Sequence, residues 1–313
     1  MNKSSTFHSW LNDYFYNPGM FAGLISMLLS PFSSLYSLCV QIKKGLARPV
    51  KFSVPIISVG NLVLGGSGKT PLTRAIFELF SPRYRTYIIL RGYKRKSRGM
   101  VVVCENGKIL CDTQTSGDEA MEYACFMSGA NVIVSQKREI AINEAIKRGA
   151  QLILLDDGFG KFNIKKFNII LRPHPEPKAN LTIPSGAYRY PQSFYSLADF
   201  IPRKADIINR SEILNASARM LLVSGIANPQ RLSPVFHRCI AHVFFPDHYE
   251  FKKEELEELF KKHEATSLLV TGKDFVKIKD FGLPLSLLSL KTSLSDNFKY
   301  KLENYVKSFD ASK

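Results

Sequence analysis

The sequence has no closely spaced pair of cysteines and no group of His and Cys with the spacing of a zinc site. Its five cysteines are scattered and odd in number, so a framework of disulfides that pairs every cysteine is excluded. We therefore expect a reducing, cytoplasmic setting in which each thiol packs as a small apolar side chain. Internal repeats and low-complexity tracts are also absent, and 313 residues are enough for two ordinary globular domains.

Acidic residues are scarce. Against 27 Asp and Glu stand 43 Lys and Arg, which gives a formal net charge of +16. A surplus of this size attracts polyanions, so nucleic acid, anionic lipid and phosphorylated small molecules are all candidate partners. A basic protein with no particular anionic partner would give the same count, so charge alone does not choose among them.

Charge of either sign is absent between Asp13 and Lys43. The apolar run from Met20 to Val40 lacks the charged start and the cleavage site of a secretory signal, and Pro31 argues against a membrane span. Aromatic residues before it and basic residues after it suit a lipid headgroup region. We expect residues 1–50 to form a membrane-associating helical segment that lies in one leaflet. A helix packed on its own domain and a true span are the alternatives.

From residue 55 onward, short apolar runs alternate with stretches of helical periodicity. Runs that are apolar throughout are typical of parallel strands covered on both faces. The sequence thus predicts an α/β fold: a P-loop NTPase-like three-layer domain with a parallel sheet, and a second, smaller α/β domain. The predicted domains are a kinase domain at 51–172, a proline-rich hinge or substrate loop at 173–195 that is not a core element, and a second domain at 196–313.

The individual elements follow from the same patterns. A hairpin is predicted at Asn106-Gly107, between two apolar runs. Predicted strands are 55–59, 86–90, 131–134, 151–155 and 167–171, then 219–226, 239–245, 266–272 and 286–290. Predicted helices are 71–80, 117–127, 136–148 and 251–263.

Residues 60–71, GNLVLGGSGKTP, stand between an apolar run and a helical stretch, as a phosphate-binding loop does. The spacing is unusual, because the common loop would have a glycine at Val63. Glycines let backbone N–H groups approach phosphate oxygens, and the helix that follows adds its positive end. ATP is favoured over GTP because the guanine-reading NKxD is missing; in TGKD at 271–274 the lysine comes one place late. The predicted nucleotide-binding residues are Gly65, Gly66, Ser67, Gly68, Lys69 and Thr70, with Lys69 on the β- and γ-phosphates.

Asp156 and Asp157 directly follow the apolar run QLILL, at the edge of a parallel sheet where ligands bind. Adjacent carboxylates repel each other unless a cation is near, so we predict Mg²⁺ bound by Thr70, Asp156 and Asp157. Taken alone, DDG would also suit an ordinary turn.

Nine motifs resemble, in the same order, those of the tetraacyldisaccharide 4'-kinases, the lipid A 4'-kinases of Gram-negative bacteria. The odd glycine spacing is the form that the loop takes in that family. The motifs are GNLVLGGSGKTP, LRGYKRKSRG, SGDEA, VSQKRE, DDG, IPSGAYR, SGIANP, FPDHY and VTGKDFVK.

The resemblance implies transfer of the γ-phosphate of ATP to the 4'-hydroxyl of a tetraacylated glucosamine disaccharide 1-phosphate. It places the enzyme at the cytoplasmic face of the inner membrane, bound peripherally or monotopically. Asp118 matches the family's catalytic base and His248 its partner histidine, while Arg91, Arg138 and Arg189 match arginines suited to phosphate contacts. The expected partners are the lipid A disaccharide precursor and the anionic inner leaflet. We expect a monomer that does not bind nucleic acid.

The sequence departs from the family's pattern near these motifs. Phe159–Lys161 follow DDG where the family has a hydrophobic residue, glutamine and histidine, and Tyr190 and Gly272 stand where it has glutamates. The roles of those family residues cannot be carried over. Glu119 and Glu176 are candidate replacements.

Other interpretations stay open at this point. A phosphotransferase or ATPase acting on a soluble substrate would not need residues 1–45, and a P-loop nucleic-acid binder would rely on KRKSR at 94–98. Asp118 would be an N-cap if it served only the helix that follows, and His248 would be an ordinary surface histidine.

Overall fold

The computed structural model describes residues 13–16, 19–65, 68–226, 229–247 and 249–310. These residues fall into two compact units. The first takes its described residues from Met1–Arg91, Lys137–Ile208 and Ser293–Lys313, and the second from Gly92–Gln136 and Asn209–Thr292. The units follow packing and differ from the ranges 51–172 and 196–313, which stay predictions of domains.

The first unit contains four parallel strands in the order β2-β6-β1-β7. Every residue of β1, β2 and β6 is buried, as their largely apolar sequences predict for strands covered on both faces. Val59 of β1 lies beside Asp156 of β6, so the loop after β1 and the Asp pair leave the same edge of the sheet. The predicted α/β fold is confirmed. The strands are β1 (Ile56–Asn61), β2 (Thr86–Leu90), β6 (Leu152–Asp156) and β7 (Phe167–Leu171).

The described residues of the first unit include four longer helices. Two match predictions at 71–80 and 136–148 within a few residues, and the helix that ends the chain was not predicted. The helices are α1 (Met20–Leu46), α2 (Lys69–Phe80), α5 (Arg138–Lys147) and α8 (Asp296–Asp310), with 3-10 helices at Gln192–Leu197 and Lys204–Asp206.

The second unit contains an antiparallel group, β4-β3-β5, and a five-stranded sheet in the order β10-β9-β11-β12-β8. Asn106 and Gly107 both have positive φ, 49° and 81°, as the predicted two-residue hairpin turn requires. The strands are β3 (Val101–Glu105), β4 (Lys108–Ile109), β5 (Val132–Val134), β8 (Ile207–Leu214), β9 (Met220–Ser224), β10 (Ala241–Phe244), β11 (Ser267–Thr271) and β12 (Leu285–Leu294). The helices are α3 (Thr113–Ser116), α4 (Asp118–Phe126), α6 (Lys253–Lys262) and α7 (Gly272–Ile278), with 3-10 helices at Pro229–Arg238 and Lys279–Phe281.

Helix α1 exposes an apolar face and is long and apolar enough to cross a membrane by length and composition. Only Ser33 and Val40 are buried along it. Large apolar side chains that are 51 to 90 % exposed are Met20, Phe21, Leu24, Met27, Leu28, Phe32, Leu35, Leu38, Ile42 and Leu46.

The opposite face of α1 packs on the proline-rich segment through paired hydrogen bonds. Ser33 Oγ donates to Thr182 O at 2.8 Å, Thr182 Oγ1 donates back to Ser33 O at 2.8 Å, and Ser185 N donates to Ser33 Oγ at 2.9 Å. Tyr36 Oη donates to Arg189 O at 3.0 Å. The prediction that this segment is no core element is therefore wrong for 182–188: Ala187 and Tyr188 are fully buried, and Tyr188 packs in an apolar cluster that includes Val40 of α1.

Candidate active site

The loop after β1 needs glycine for its backbone conformation. Gly65 and Gly68 have φ of 96° and 82°, in open space, so their requirement is the positive φ and not a lack of room. Gly68 is the N-cap of α2, which begins at Lys69. Gly66 and Ser67 lie outside the described residues. The helix N-terminus behind the loop adds partial positive charge where a phosphate would bind.

Four side chains form a cluster next to this loop, here called the first-unit cluster: Asn61, Lys69, Asp157 and Arg189. Arg189 makes a bidentate pair with Asp157, Nη1 to Oδ2 at 3.1 Å and Nη2 to Oδ1 at 2.9 Å. Lys69 Nζ lies 3.6 Å from the same Oδ1. Asn61 Oδ1 accepts from Arg189 Nη2 at 2.5 Å and from Lys69 Nζ at 3.4 Å.

Asp157 is the centre of that cluster. Its φ is 50°, a left-handed conformation that turns the chain at the end of β6. Burial by itself raises the pKa of Asp157, but the hydrogen bonds from Arg189 and the charges of Lys69, Arg189 and Arg138 hold it well below its usual range. The side chain is still 41 % exposed, so it stays ionised and within reach of a ligand.

The neighbouring Gly158 explains why a glycine ends DDG. A Cβ there would stand 2.5 Å from Leu155 Cβ and 2.8 Å from Ser58 Oγ, so a side chain cannot fit. A side chain is excluded at Gly60 as well, because a Cβ there would lie 2.6 Å from Phe159 Cβ. Close packing against neighbouring residues is thus enough to explain these two glycines, without contact to a phosphate.

The other predicted side chains of the first unit have different surroundings. Asp156 is 4 % and Arg138 1 % exposed, and Arg138 Nη2 donates to Asp156 O at 3.5 Å. Burial lowers the pKa of Arg138 to about 10, against the opposing charges of Asp157 and Asp156, so it stays a cation. Arg91 is exposed, and Thr70 is half-buried in the first turn of α2.

The donor set suits Mg²⁺ only in part. Among the described residues no group of three or more His, Cys, Asp and Glu could hold a metal ion. Mg²⁺ often takes one or two carboxylates and completes its shell with water and substrate phosphates, so a threonine hydroxyl and a strand-end carboxylate fit it. Asp157 is already held by Arg189 and Lys69, so Asp156 and Thr70 are the better-suited pair.

The second unit brings Asp118 together with Lys277 and Asp274, here called the second-unit cluster. Lys277 Nζ lies 3.1 Å from Asp118 Oδ2 and 3.9 Å from Asp274 Oδ1. The side chains of Asp118 and Lys277 are 17 and 10 % exposed. Asp118 is the first residue of α4, and Gly117 occupies the N-cap position. The interpretation of Asp118 as a helix cap is therefore wrong.

Asp274 is fully buried and ties three segments of the second unit together. Its Oδ2 accepts from Ser224 Oγ at 2.9 Å, from Gly225 N at 3.2 Å and from Thr271 Oγ1 at 2.8 Å. Burial raises the pKa of Asp274, although Lys277 and these hydrogen bonds act to lower it. The end of β9 and the start of α7 are held by this one carboxyl group.

The predicted partner of Asp118, His248, lies outside the described residues. The residue before it, Asp247, forms an ion pair with Lys273 of α7 at 2.8 Å. Helix α7 thus pairs one lysine with the FPDHY loop and another, one turn later, with Asp118.

Sequence reasoning missed Asn61, Lys277 and Asp274. All three stood inside quoted motifs, GNLVLGGSGKTP and VTGKDFVK, and the signal was available in the spacing of Lys273 and Lys277, which places both on one helix face. The role of Asn61 had no such signal, since its partner Arg189 is distant in sequence.

This chain departs from the family's pattern at Gly160 and Gly272, and at both positions a neighbouring side chain fills the space beside the glycine. A Cβ at Gly160 would lie 2.0 Å from Tyr190 Oη, so the tyrosine occupies the space that a side chain at 160 would take. A Cβ at Gly272 would lie 2.8 Å from Glu122 Oε1. In each case a neighbouring side chain fills the position where this chain has glycine.

Comparison with known proteins gives a consistent result. A family model described as Tetraacyldisaccharide-1-P 4'-kinase matches residues 25–216 and 202–307. The tetraacyldisaccharide 4'-kinase of Campylobacter jejuni serotype O:2 is 43 % identical over 310 residues, which cover 99 % of this chain and all of that protein. The Helicobacter pylori protein of the same name is 40 % identical, with 96 % of each chain covered.

A solved structure is similar as well. It is a crystal structure of the "apo" form of LpxK from Aquifex aeolicus in complex with ATP. The TM-score is 0.76 at 26 % sequence identity, with 90 % of this chain and 99 % of that chain covered.

Proposed function

The chain belongs to the tetraacyldisaccharide-1-P 4'-kinase family, and from this premise we propose how its residues carry out the reaction. The protein is an ATP-dependent kinase of lipid A biosynthesis that phosphorylates the 4'-hydroxyl of a tetraacyl disaccharide. The observation that carries the proposed roles is the first-unit cluster. Two cations there share one carboxylate beside a glycine-rich loop.

The loop from Gly65 to Thr70 holds the triphosphate. The positive φ of Gly65 and Gly68 supports this role, since glycine adopts it readily and leaves no side chain between the backbone and a phosphate. Lys69 leaves Asp157 to neutralise the β- and γ-phosphates, which carry more charge than one carboxylate. Arg189 then keeps Asp157 paired, so the cluster exchanges partners without leaving a charge uncompensated.

Mg²⁺ is part of the proposal. Thr70 and Asp156 would hold it, with Asp157 close by, and the ion would neutralise charge on the phosphates. Arg91 and Arg138 supply further positive charge for phosphate groups, Arg91 from the surface and Arg138 from within the fold.

Asp118 is the proposed base that accepts the proton of the acceptor hydroxyl, with His248 as its partner. Its ion pair and its place at the N-terminus of α4 support this role, since both favour the carboxylate form. In a loose phosphoryl-transfer transition state, such a base contributes less than positioning and charge neutralisation.

The membrane surface is the proposed site of action. The hydrogen bonds of Ser26, Ser33 and Tyr36 to residues 182–189 favour a helix that lies along the protein, because a spanning helix would surround its middle with lipid. The exposed apolar face would enter one leaflet, with Lys43 and Lys44 near anionic headgroups. We place it on the cytoplasmic face, where ATP is available, as a monomer.

Vesicle flotation tests the membrane proposal. Replacing Leu28, Phe32 and Leu35 together by Gln should remove most binding to vesicles that contain an anionic lipid. Tyr300→Gln, which changes a 64 % exposed side chain on α8, should leave binding intact. Equal flotation of both proteins would contradict the assigned surface.

The catalytic assignment is tested by transfer of radiolabelled phosphate from ATP, with Mg²⁺, to the disaccharide lipid in detergent micelles. We expect Lys69→Ala to lower kcat by about 10²- to 10³-fold, because it removes a preorganised charge, and Asp118→Ala by about 10²- to 10⁴-fold. Activity of Asp118→Ala near that of the wild type would remove the proposed base.

A further inference from the structure

Lys277 is the cation of the second-unit cluster, and the reaction assigned above gives it no role. Its ammonium lies 3.1 Å from Asp118 Oδ2, and its side chain is 10 % exposed. A lysine is seldom buried to this degree unless it is paired. The contact therefore replaces water around both groups.

Three further contacts fix the position of the ammonium. Lys277 Nζ donates to Tyr249 O at 3.2 Å, lies 3.9 Å from Asp274 Oδ1, and stands 5.7 Å from the centre of the Phe251 ring. Asp274 is itself held by three hydrogen-bond donors, so the anchor does not move freely. A lysine tethered on this many sides holds its partner carboxylate in one place.

Helix packing supplies the geometry. Helix α7 lies against α4, where Phe126 and Phe275 are in contact at 5.4 Å between ring centroids. Lys277 is thus presented to the first turn of α4 by a packed helix and not by a loop. A site on packed helices keeps its geometry better than one on a mobile segment.

We propose that Lys277 is a positioning residue that orients the Asp118 carboxylate and keeps it ionised for proton acceptance. The inference rests on the proposed role of Asp118 as base. Lys277 itself touches neither nucleotide nor acceptor in this assignment, and it acts through Asp118.

The charges around Asp118 decide what its loss would do. Charged groups on the segments packed around the helix of Asp118, besides Lys277, are Arg95, Glu105, Lys108, Asp112, Glu119, Glu122, Lys273, Asp274 and Lys279. Of these, Lys273 is paired with Asp247 and Arg95 donates to Gly99 O. Removing Lys277 takes away a cation that lies 3.1 Å from the carboxylate, which disfavours the ionised form of Asp118.

The test compares Lys277→Met, which keeps length and removes charge, with Lys277→Arg, which keeps charge. We measure kcat and KM for ATP across pH 5.5 to 9 in the micelle assay. For Lys277→Met we expect kcat to fall about 10- to 100-fold with KM for ATP within about twofold, and the acidic limb of the profile to move to higher pH. Lys277→Arg should recover most of the activity and return the limb toward the wild-type position.

Lys253→Met is the matched control. It makes the same substitution at an exposed ion pair, Lys253 with Glu257 at 3.8 Å, on α6. It should leave kcat and the pH profile unchanged. A Lys277→Met profile that coincides with this control, while Asp118→Ala is inactive, would overturn the inference and leave the proposed base intact.

Folding is checked by near-ultraviolet circular dichroism. If Lys277→Met does not fold, Lys277→Gln takes its place, since it also removes the charge and keeps a donor for Tyr249 O. It should then show a shift of the acidic limb in the same direction. No shift in Lys277→Gln, or an active Asp118→Ala, would count against the inference, the latter by removing the base itself.

Discussion

The two charge clusters are built in opposite ways. In the first unit, one carboxylate, Asp157, lies between two cations, Lys69 and Arg189. In the second, one ammonium, Lys277, lies between two carboxyl groups, Asp118 and Asp274. The first carboxylate is 41 % exposed, whereas Asp118 is 17 % exposed and Asp274 is fully buried.

The difference shows which ligand each cluster suits. The first cluster has one positive charge in excess, at an accessible position, and can accept an anion without first removing a carboxylate. The second has no spare positive charge, and burial drives Asp274 toward its neutral form. It can hold one carboxylate ready to take a proton, but it would repel a phosphate.

Among the variants that test this contrast between the clusters, the largest effect is expected from breaking the first cluster at Arg189. Arg189→Met should raise KM for ATP at least about tenfold, because it leaves Asp157 to compete for Lys69 with the phosphates. Arg189→Lys should recover little, since an ammonium cannot bind both carboxylate oxygens and Asn61 in one plane. Steady-state kinetics checks this. An unchanged KM in Arg189→Met would mean that the excess charge does not serve the nucleotide.

A smaller effect is expected from the packing behind the first cluster. Gly160→Ala places Cβ against the half-buried Tyr190, whose ring lies 5.9 Å from the Arg189 guanidinium carbon. We expect a cost of about 1–3 kcal/mol from overpacking, and a weaker hold on ATP. Thermal unfolding with and without ATP measures both.

Gly272→Ala in the second unit is the matched variant. Its Cβ would meet Glu122 Oε1, the end of a flexible side chain that can move aside, so the cost should be much smaller. Equal destabilisation of the two variants would contradict the difference in packing.

The smallest effect is a difference in the sign of the pH dependence. The pKa of Asp157 is lowered by folding, so its contribution to stability is present above its unfolded pKa and is lost only as pH falls through the lower, folded value. The pKa of Asp274 is raised, so its contribution is present below its unfolded pKa and is lost as pH rises through the folded value.

Melting temperatures of Asp157→Asn and Asp274→Asn, each set against the wild type, test this. From pH 5 to 8 the deficit of Asp157→Asn should stay constant. Asp274→Asn should gain on the wild type as pH rises above 4. Parallel curves for the two variants would remove the contrast.

Much of the fold could be predicted because the core strands consist mostly of consecutive apolar residues. Strand β8 (Ile207–Leu214) could not, since four exposed polar residues follow one another at 209–212 and none of its residues is buried. Helix α8 was missed although Phe298, Leu302 and Val306 recur at helical spacing and are buried. The spacing of these apolar residues is sufficient to predict the helix.

The candidate site was predictable where one short motif holds both the backbone and the charge, as in the loop ending at Lys69 and Thr70. It was not predictable where function depends on partners distant in sequence. Asn61 joins Arg189 across 128 positions, and Lys277 meets Asp118 from another motif. Tertiary packing decides which cation pairs with which carboxylate, and local sequence patterns do not predict these pairs.

The hydroxyl groups of Ser33 and Tyr36 on the inner face of α1 matter for the design of a truncated enzyme that works without detergent. Removing residues 1–45 would also strip Ser33 from Thr182 and Ser185, and Tyr36 from the carbonyl of Arg189, which holds Asp157. A truncated enzyme that fails on a water-soluble acceptor would thus report a damaged nucleotide site and not a need for lipid. Polar substitutions on the outward side of the helix, with its inward hydroxyls kept, separate these two explanations.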